Sequence, residues 1–274
     1  MWHNLTDGEI EELEMIDRTL LRRIFSVPNS TPSAGIYLEA GCMRIGTIIK
    51  ARRVNYLHYL AKLPQEEMLS KFFYHQWFVG GKYDWTTQVK NDLAELGLPD
   101  NLETLRKKST FSWKTLVKKK TKEYELSKLL EIKKTKSKLT KLDYNKLEMQ
   151  EYLITLDSQM AKNVFRFRVK MANFNGNFRG HGSPDACPLC GTHSDIQELC
   201  FKCPFILNQV KITENYENLY KQPISRKLAG ELLEITKIRN KGKADPARVP
   251  VVHHPVQLTD GCCRPCTNSI ATSA

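Results

Sequence analysis

Apolar residues recur at helical spacing along most of the chain. Ile10, Leu13, Ile16, Leu20 and Ile24 form one stripe behind Thr6-Asp7-Gly8-Glu9. That tetrad reads as a capping box, with the Thr6 hydroxyl accepting the Glu9 N–H and the Glu9 carboxylate reaching back. Pro28 ends the helix, Ser30-Thr31-Pro32 restarts a short one, and Gly41 closes it. A third segment, 45–63, carries Ile45, Ile48, Ile49, Tyr56, Leu57 and Leu60 on one side. Pro64 opens a fourth through Met68, Leu69, Phe72, Phe73 and Trp77, which Gly80-Gly81 breaks. Asp84 caps a fifth through Val89, Leu93 and Leu96, with Gly97 as a left-handed stop. Strand-like alternation is weak, and this half predicts an all-helical bundle.

Further along, Trp113, Leu116, Val117, Tyr124 and Leu130 predict an amphipathic helix. Asp143 caps one through Tyr144, Leu147 and Leu153. Another runs from Asp157 through Met160, Val164, Phe165 and Met171, and a last from Ser225 to Ile238. Beyond Asn240 the composition is tail-like, rich in Gly, Pro and scattered Cys, which predicts disorder. Cys262-Cys263-x2-Cys266 in that tail lacks a second ligand pair and reads as stray thiols.

Charge changes the picture. The chain of 274 residues carries a net +12, and 106–141 holds fourteen Lys or Arg against three Glu, leaving +11. Acidic partners at helical spacing are too few to neutralise this run. Lys118, Lys119 and Lys120, then Lys133, Lys134, Lys136 and Lys138, are its densest parts. Ammonium groups at that density neutralise phosphates and release counterions, so the partner expected is nucleic acid, RNA or DNA. A solvated helix face and a nuclear-localisation signal are the competing readings of the same lysines. Aromatic and basic residues alternate at Phe165-Arg166-Phe167-Arg168 and again at Phe174, Phe178 and Arg179. Phe165 reads as core, whereas Arg166, Arg168 and Arg179 are candidate phosphate contacts.

Four of the eight cysteines stand as Cys187-x2-Cys190-x9-Cys200-x2-Cys203. Two thiolate pairs, each spanning two residues, can clasp the two sides of a tetrahedral ion, so a structural zinc is expected. His193 is the alternative ligand, standing in for Cys200. Two disulfides are the competing reading and require an oxidising compartment. The acidic opening MWHNLTDGEIEELEMI has no basic n-region and no long apolar run, and no stretch reaches the ~18 apolar residues of a membrane span. An intracellular protein of nucleus or cytoplasm, without a membrane partner, is therefore expected. The architecture read from these features is a helical region over 1–105, a basic helical segment over 106–180, a zinc-knuckle-like element with a terminal helix over 181–240, and a disordered tail over 241–274.

No Walker loop, G-x-S-x-G elbow or H-E-x-x-H occurs, and no small-molecule substrate is indicated. His58 and His75 read as packed or surface residues. Pro99-Asp100 with Glu131-Ile132-Lys133 matches a metal-nuclease pattern on paper, but its acids lie in helical surroundings rather than on adjacent strands.

The run YLEAGCMRIGTIIKARRVNYLHYL from Tyr37 to Leu60 resembles the segment after the reverse transcriptase domain in non-LTR (LINE-like) retrotransposon polyproteins. WHNLTDGEIEELEMIDRTLLRRIFSVPNSTP, Lys82-Tyr83-Asp84-Trp85, the QEYL at 150–153, and FRFRVKMANFNGNF before CPLCG are similar to it in the same order, over about residues 2 to 206. The resemblance implies a carboxy-terminal piece of such a polyprotein, gripping RNA and target DNA through helices and a zinc-knuckle-like element. It carries over Cys187, Cys190 and Cys203 as ligands and puts Cys200 near the family's usual histidine. The paired aspartates of the family's polymerase motif are missing, so the chain is expected not to be an enzyme.

Overall fold

The computed structural model describes residues 5–82, 84–178, 186–191 and 193–244. Among them are twelve α-helices and no strand, so the protein is mainly α as its spacing predicts. The predicted tail falls almost wholly outside the described residues.

Helix α1 (Asp7–Phe25) begins with the expected capping box and ends at Ser26 in the left-handed region. Its orientation is the reverse of the one its apolar stripe predicts. Ile16, Leu20 and Ile24 are each more than half exposed, and the polar side docks instead. Glu14 accepts the Gly46 N–H at 3.2 Å, Asp17 accepts the Tyr37 hydroxyl at 2.8 Å, and Arg22 donates to the Thr31 carbonyl at 3.2 Å. Leu21 and Phe25 anchor α1 apolarly, Phe25 stacking on Phe165 at 4.1 Å.

Helix α2 (Ser33–Ala40) is buried along nearly its whole length and stops at Gly41, φ +64°. That glycine is needed for a second reason. A Cβ there would lie 2.1 Å from the Met149 nitrogen, because the segment 142–150 crosses directly over it. The helix expected behind Asp143 does not form. The segment instead runs irregularly, burying Leu142, Tyr144 and Leu147 one at a time and donating the Gln150 N–H to the Glu39 carbonyl. Satisfaction across the chain has replaced the i→i+4 ladder.

Helices α3 (Ile45–Ala61), α4 (Met68–Val79), α5 (Trp85–Leu96) and α6 (Leu102–Lys107) enclose one core built on Val54, Leu57, Phe73, Trp77, Val89, Leu93 and Leu105. Helix α4 starts four residues later than Pro64 suggests. Gly97 at φ +61° ends α5 as expected. The spine is α7 (Thr110–Lys134), which packs on α3, α5 and α2. Its buried residues are Trp113, Val117, Thr121, Glu125 and Leu129, four apart each time. At 3.6 residues per turn that spacing drifts by about 40° per step, so the buried stripe winds around the helix. Trp113 and Val117 therefore serve the first core and Leu129 a second.

The second core gathers α2, a 3-10 turn at Ser137–Leu139, α8 (Tyr152–Thr155), α9 (Ser158–Arg168), α10 (Gln197–Cys200), α11 (Pro204–Leu207) and α12 (Arg226–Ala244). Asp157 caps α9 by accepting the Gln159 and Met160 N–H groups, and Ser225 accepts from Leu228 ahead of α12. Phe165 is core, as expected, and so is Met171. Three buried ion pairs stitch distant parts together. Arg53 forks onto Asp92 at 2.6 and 2.9 Å, Arg168 meets Glu39 at 2.8 Å, and Arg239 forks onto Asp195 at 2.7 and 2.9 Å.

Candidate metal centre and basic face

The segment CPLCG folds into a tight turn because Gly191 adopts φ +66° and donates its N–H to the Cys187 carbonyl at 2.8 Å. The chain returns through a single antiparallel bridge between Ala186 and Ser194, with the Cys187 N–H on the His193 carbonyl at 2.6 Å. Leu189 plugs the turn onto α12, so close that a Cβ on Gly242 would lie 2.3 Å from it. These constraints bring the sulfurs of Cys187, Cys190 and Cys203 within 4.8 Å of one another, all buried. Zinc–thiolate bonds of ~2.3 Å hold tetrahedral sulfurs about 3.8 Å apart, so the three thiols fit a metal ion after a small contraction.

Electrostatics point the same way. The Cys203 thiol donates to the Cys187 sulfur, whose negative form is also held by the Leu189 and Cys190 N–H groups, and its pKa falls to about 5. Cys203 is correspondingly pushed up by giving that hydrogen bond and by burial. A thiolate beside thiol neighbours is a nucleus on which a cation displaces protons.

Cys200 departs from the expected ligand set. It lies in the turn of α10 with its Sγ 2.8 Å from the Gln197 carbonyl, outside the three-sulfur group, and burial raises its pKa. Gln197 is itself fixed, donating to the Phe167 carbonyl at 2.7 Å and the Tyr216 hydroxyl at 2.6 Å. The second CxxC is thus split, with one thiol facing the site and one facing the core. His193 lies on the loop, half-buried, and is likewise outside the group.

The basic residues divide in the same manner. Lys118, Lys119, Lys134 and Lys136 are exposed, and Lys120 and Lys133 half-exposed, on α7 and the turn after it. Of the three Glu in the run, Glu123 pairs with Lys119 and Lys120, and Glu131 with Lys128. Glu125 is buried at the start of α3, accepting from Arg44 Nε at 2.6 Å and Thr47 Oγ1 at 2.5 Å. It therefore neutralises none of the surface lysines. Lys138 is an exception among them. Its ammonium is partly buried and donates to the Asn177 carbonyl at 2.7 Å, pinning the loop before the cysteines.

Arg168 is not a surface phosphate contact as its alternation with phenylalanines suggests. It is 1% exposed, pairs with Glu39 and donates to the Leu219 carbonyl at 2.6 Å. The i, i+2 pattern misleads because Arg166 and Arg168 stand about 200° apart on α9. Arg166 sits half-buried at the surface, with Nε and Nη2 donating to the Ser26 carbonyl at 3.0 and 2.5 Å. Arg179 lies outside the described residues. Sequence reasoning missed Glu39, Asp195, Gln197 and Arg239. Their partners lie up to 129 residues away, and no spacing rule reaches that far.

His58 is packed, as expected, stacked on Trp113, while His75 is exposed. No described helix is long and apolar enough to cross a membrane. Compared with family models, curated proteins and solved structures, the chain matches none of them. What the fold and site define is a helical protein with a three-cysteine candidate metal centre and a lysine-rich helix.

Proposed function

We propose that the chain is a non-catalytic nucleic-acid-binding piece of a non-LTR retrotransposon-like polyprotein, in which α7 grips phosphates and the cysteine loop holds one structural zinc. The observation that carries the reading is α7 itself, a helix anchored in two cores that, with the turn after it, presents Lys118, Lys134 and Lys136 to solvent without a carboxylate partner among the described residues. Rigid display of this kind lowers the entropy cost of each phosphate contact. Cys187, Cys190 and Cys203 are soft ligands suited to zinc. The missing polymerase aspartates support a binding role rather than a catalytic one.

The test is a salt titration with single-stranded RNA. If six or more phosphates are contacted, affinity falls on the order of a thousandfold between 50 and 200 mM salt. Replacing Lys118, Lys119, Lys134 and Lys136 by Gln lowers the log–log slope by about 0.7 for each phosphate of a single strand no longer neutralised. A flat response defeats the reading. A second reading, a protein-docking module, is favoured by the exposed Leu13, Ile16, Leu20 and Ile24 stripe of α1. No gel shift at low salt with either RNA or duplex DNA selects it.

A further inference from the structure

An open cavity of about 130 Å³ lies between α9 and α12, lined by Asn163, Arg166, Phe174, Thr236, Arg239 and Asn240 among others. Two of the lining residues carry a buried donor with nothing to donate to. The Asn163 Nδ2 and the Arg239 Nε lack hydrogen-bond partners, although their side chains are only 4% and 3% exposed. A buried donor left unpaired is destabilising, so two beside one cavity call for an acceptor that enters it.

The charge inventory says what kind. Arg239 is neutralised by Asp195, and its guanidinium carbon lies 4.0 Å from the Phe174 ring centroid, so the side chain is held on two sides. Arg166 lines the same cavity, donates to the Ser26 carbonyl, and pairs with no carboxylate among the described residues. No Asp or Glu lines the cavity. The site therefore offers amide and guanidinium donors and one uncompensated positive charge. That set matches an oxyanion with one negative charge and two acceptor oxygens.

We propose that this cavity seats one phosphodiester group of a bound strand, beside the cysteine loop and apart from the lysines of α7. The inference rests on the nucleic-acid reading above. Its occupant enters through the open side, so the ester oxygens continue into solvent while the two anionic oxygens meet Asn163, Arg239 and Arg166.

The experiment follows the Arg side-chain Nε–H resonances of the full chain by NMR while a dinucleoside monophosphate, or inorganic phosphate, is added at low salt. The Arg239 signal is expected to move saturably with the diester. Asn163→Asp, which puts a carboxylate in the wall, should weaken that binding at least tenfold, and Asn163→Leu should weaken it without adding charge. The Gln variant of the four α7 lysines should keep the Arg239 response even where it loses RNA. Failure of the lysine reading is thereby separated from failure of this one. A response to inorganic phosphate but not to the diester, an unmoved Arg239 signal, or equal affinity in Asn163→Asp would each overturn the proposal.

Discussion

Arg168 gives the sharpest test of the architecture, because its two roles predict opposite results. In the structure its guanidinium meets Glu39 at 2.8 Å, lies over the Tyr152 ring at 5.6 Å, and donates to Leu219. Glu39 in turn accepts the hydroxyls of Tyr144 and Tyr152. The carboxylate and the burial together push both phenol pKa values far up, so both stay protonated and donating. Glu39→Leu would leave a buried guanidinium without its counter-charge. Breaking such a pair from one side costs about 3–5 kcal/mol, and the two orphaned hydroxyls add to it. At about 2–4 °C per kcal/mol for a chain this size, the melting temperature should fall by roughly 6–20 °C. Arg168→Met should cost a similar amount by stranding Glu39. The double variant Glu39→Leu/Arg168→Met should recover much of the loss, since an apolar replacement of both partners is often near neutral. Urea midpoints of the four proteins form the cycle, with RNA affinity measured alongside. If Arg168→Met leaves the midpoint in place and lowers only RNA affinity, the buried-pair account is wrong and the residue is a phosphate contact.

Three further outcomes are expected. Cys203→Ser should abolish stoichiometric zinc in elemental analysis whereas Cys200→Ser should retain it; equal loss in both would return Cys200 to the ligand set. His58 is desolvated against Trp113, with Nε2 on the Lys108 carbonyl at 3.2 Å, and burial lowers its pKa. The unfolded chain therefore takes up a proton first, near pH 6.5, so this contribution is complete above that pH and fades as pH falls toward the folded value. His58→Gln should lose less stability than the parent between pH 7 and 5 in urea titrations, and parallel losses would contradict the assignment. On α1, Leu20→Glu should change stability by less than about 0.5 kcal/mol, while Phe25→Ala should cost about 3–5 kcal/mol; calorimetry showing the reverse would restore the stripe to the core.

Much of the local structure was legible in the chain. The Thr6–Glu9 box and the Gly41 and Gly97 stops all follow from contacts within a few residues, and all are present. The cysteine spacing likewise announced a thiol cluster, and three of its four members meet. The misreadings share one cause. Whether Tyr144 starts a helix depends on Glu39, Gln150 and the bare Gly41, all brought together only by folding. Whether Cys200 faces inward depends on a carbonyl made available by the bonds of Gln197 to Phe167 and Tyr216.

By itself, then, the sequence determined most of the helices and several of their stops, and that a lysine-rich helix precedes a thiol cluster. These are matters of short-range sterics and hydrogen bonding. Only the tertiary structure decided which face of α1 is wet, that Arg168 is an interior strut, and that Arg239 and Asn163 share a cavity wall. Those outcomes turn on desolvation and pairing between groups far apart in the chain, where no local periodicity carries the information.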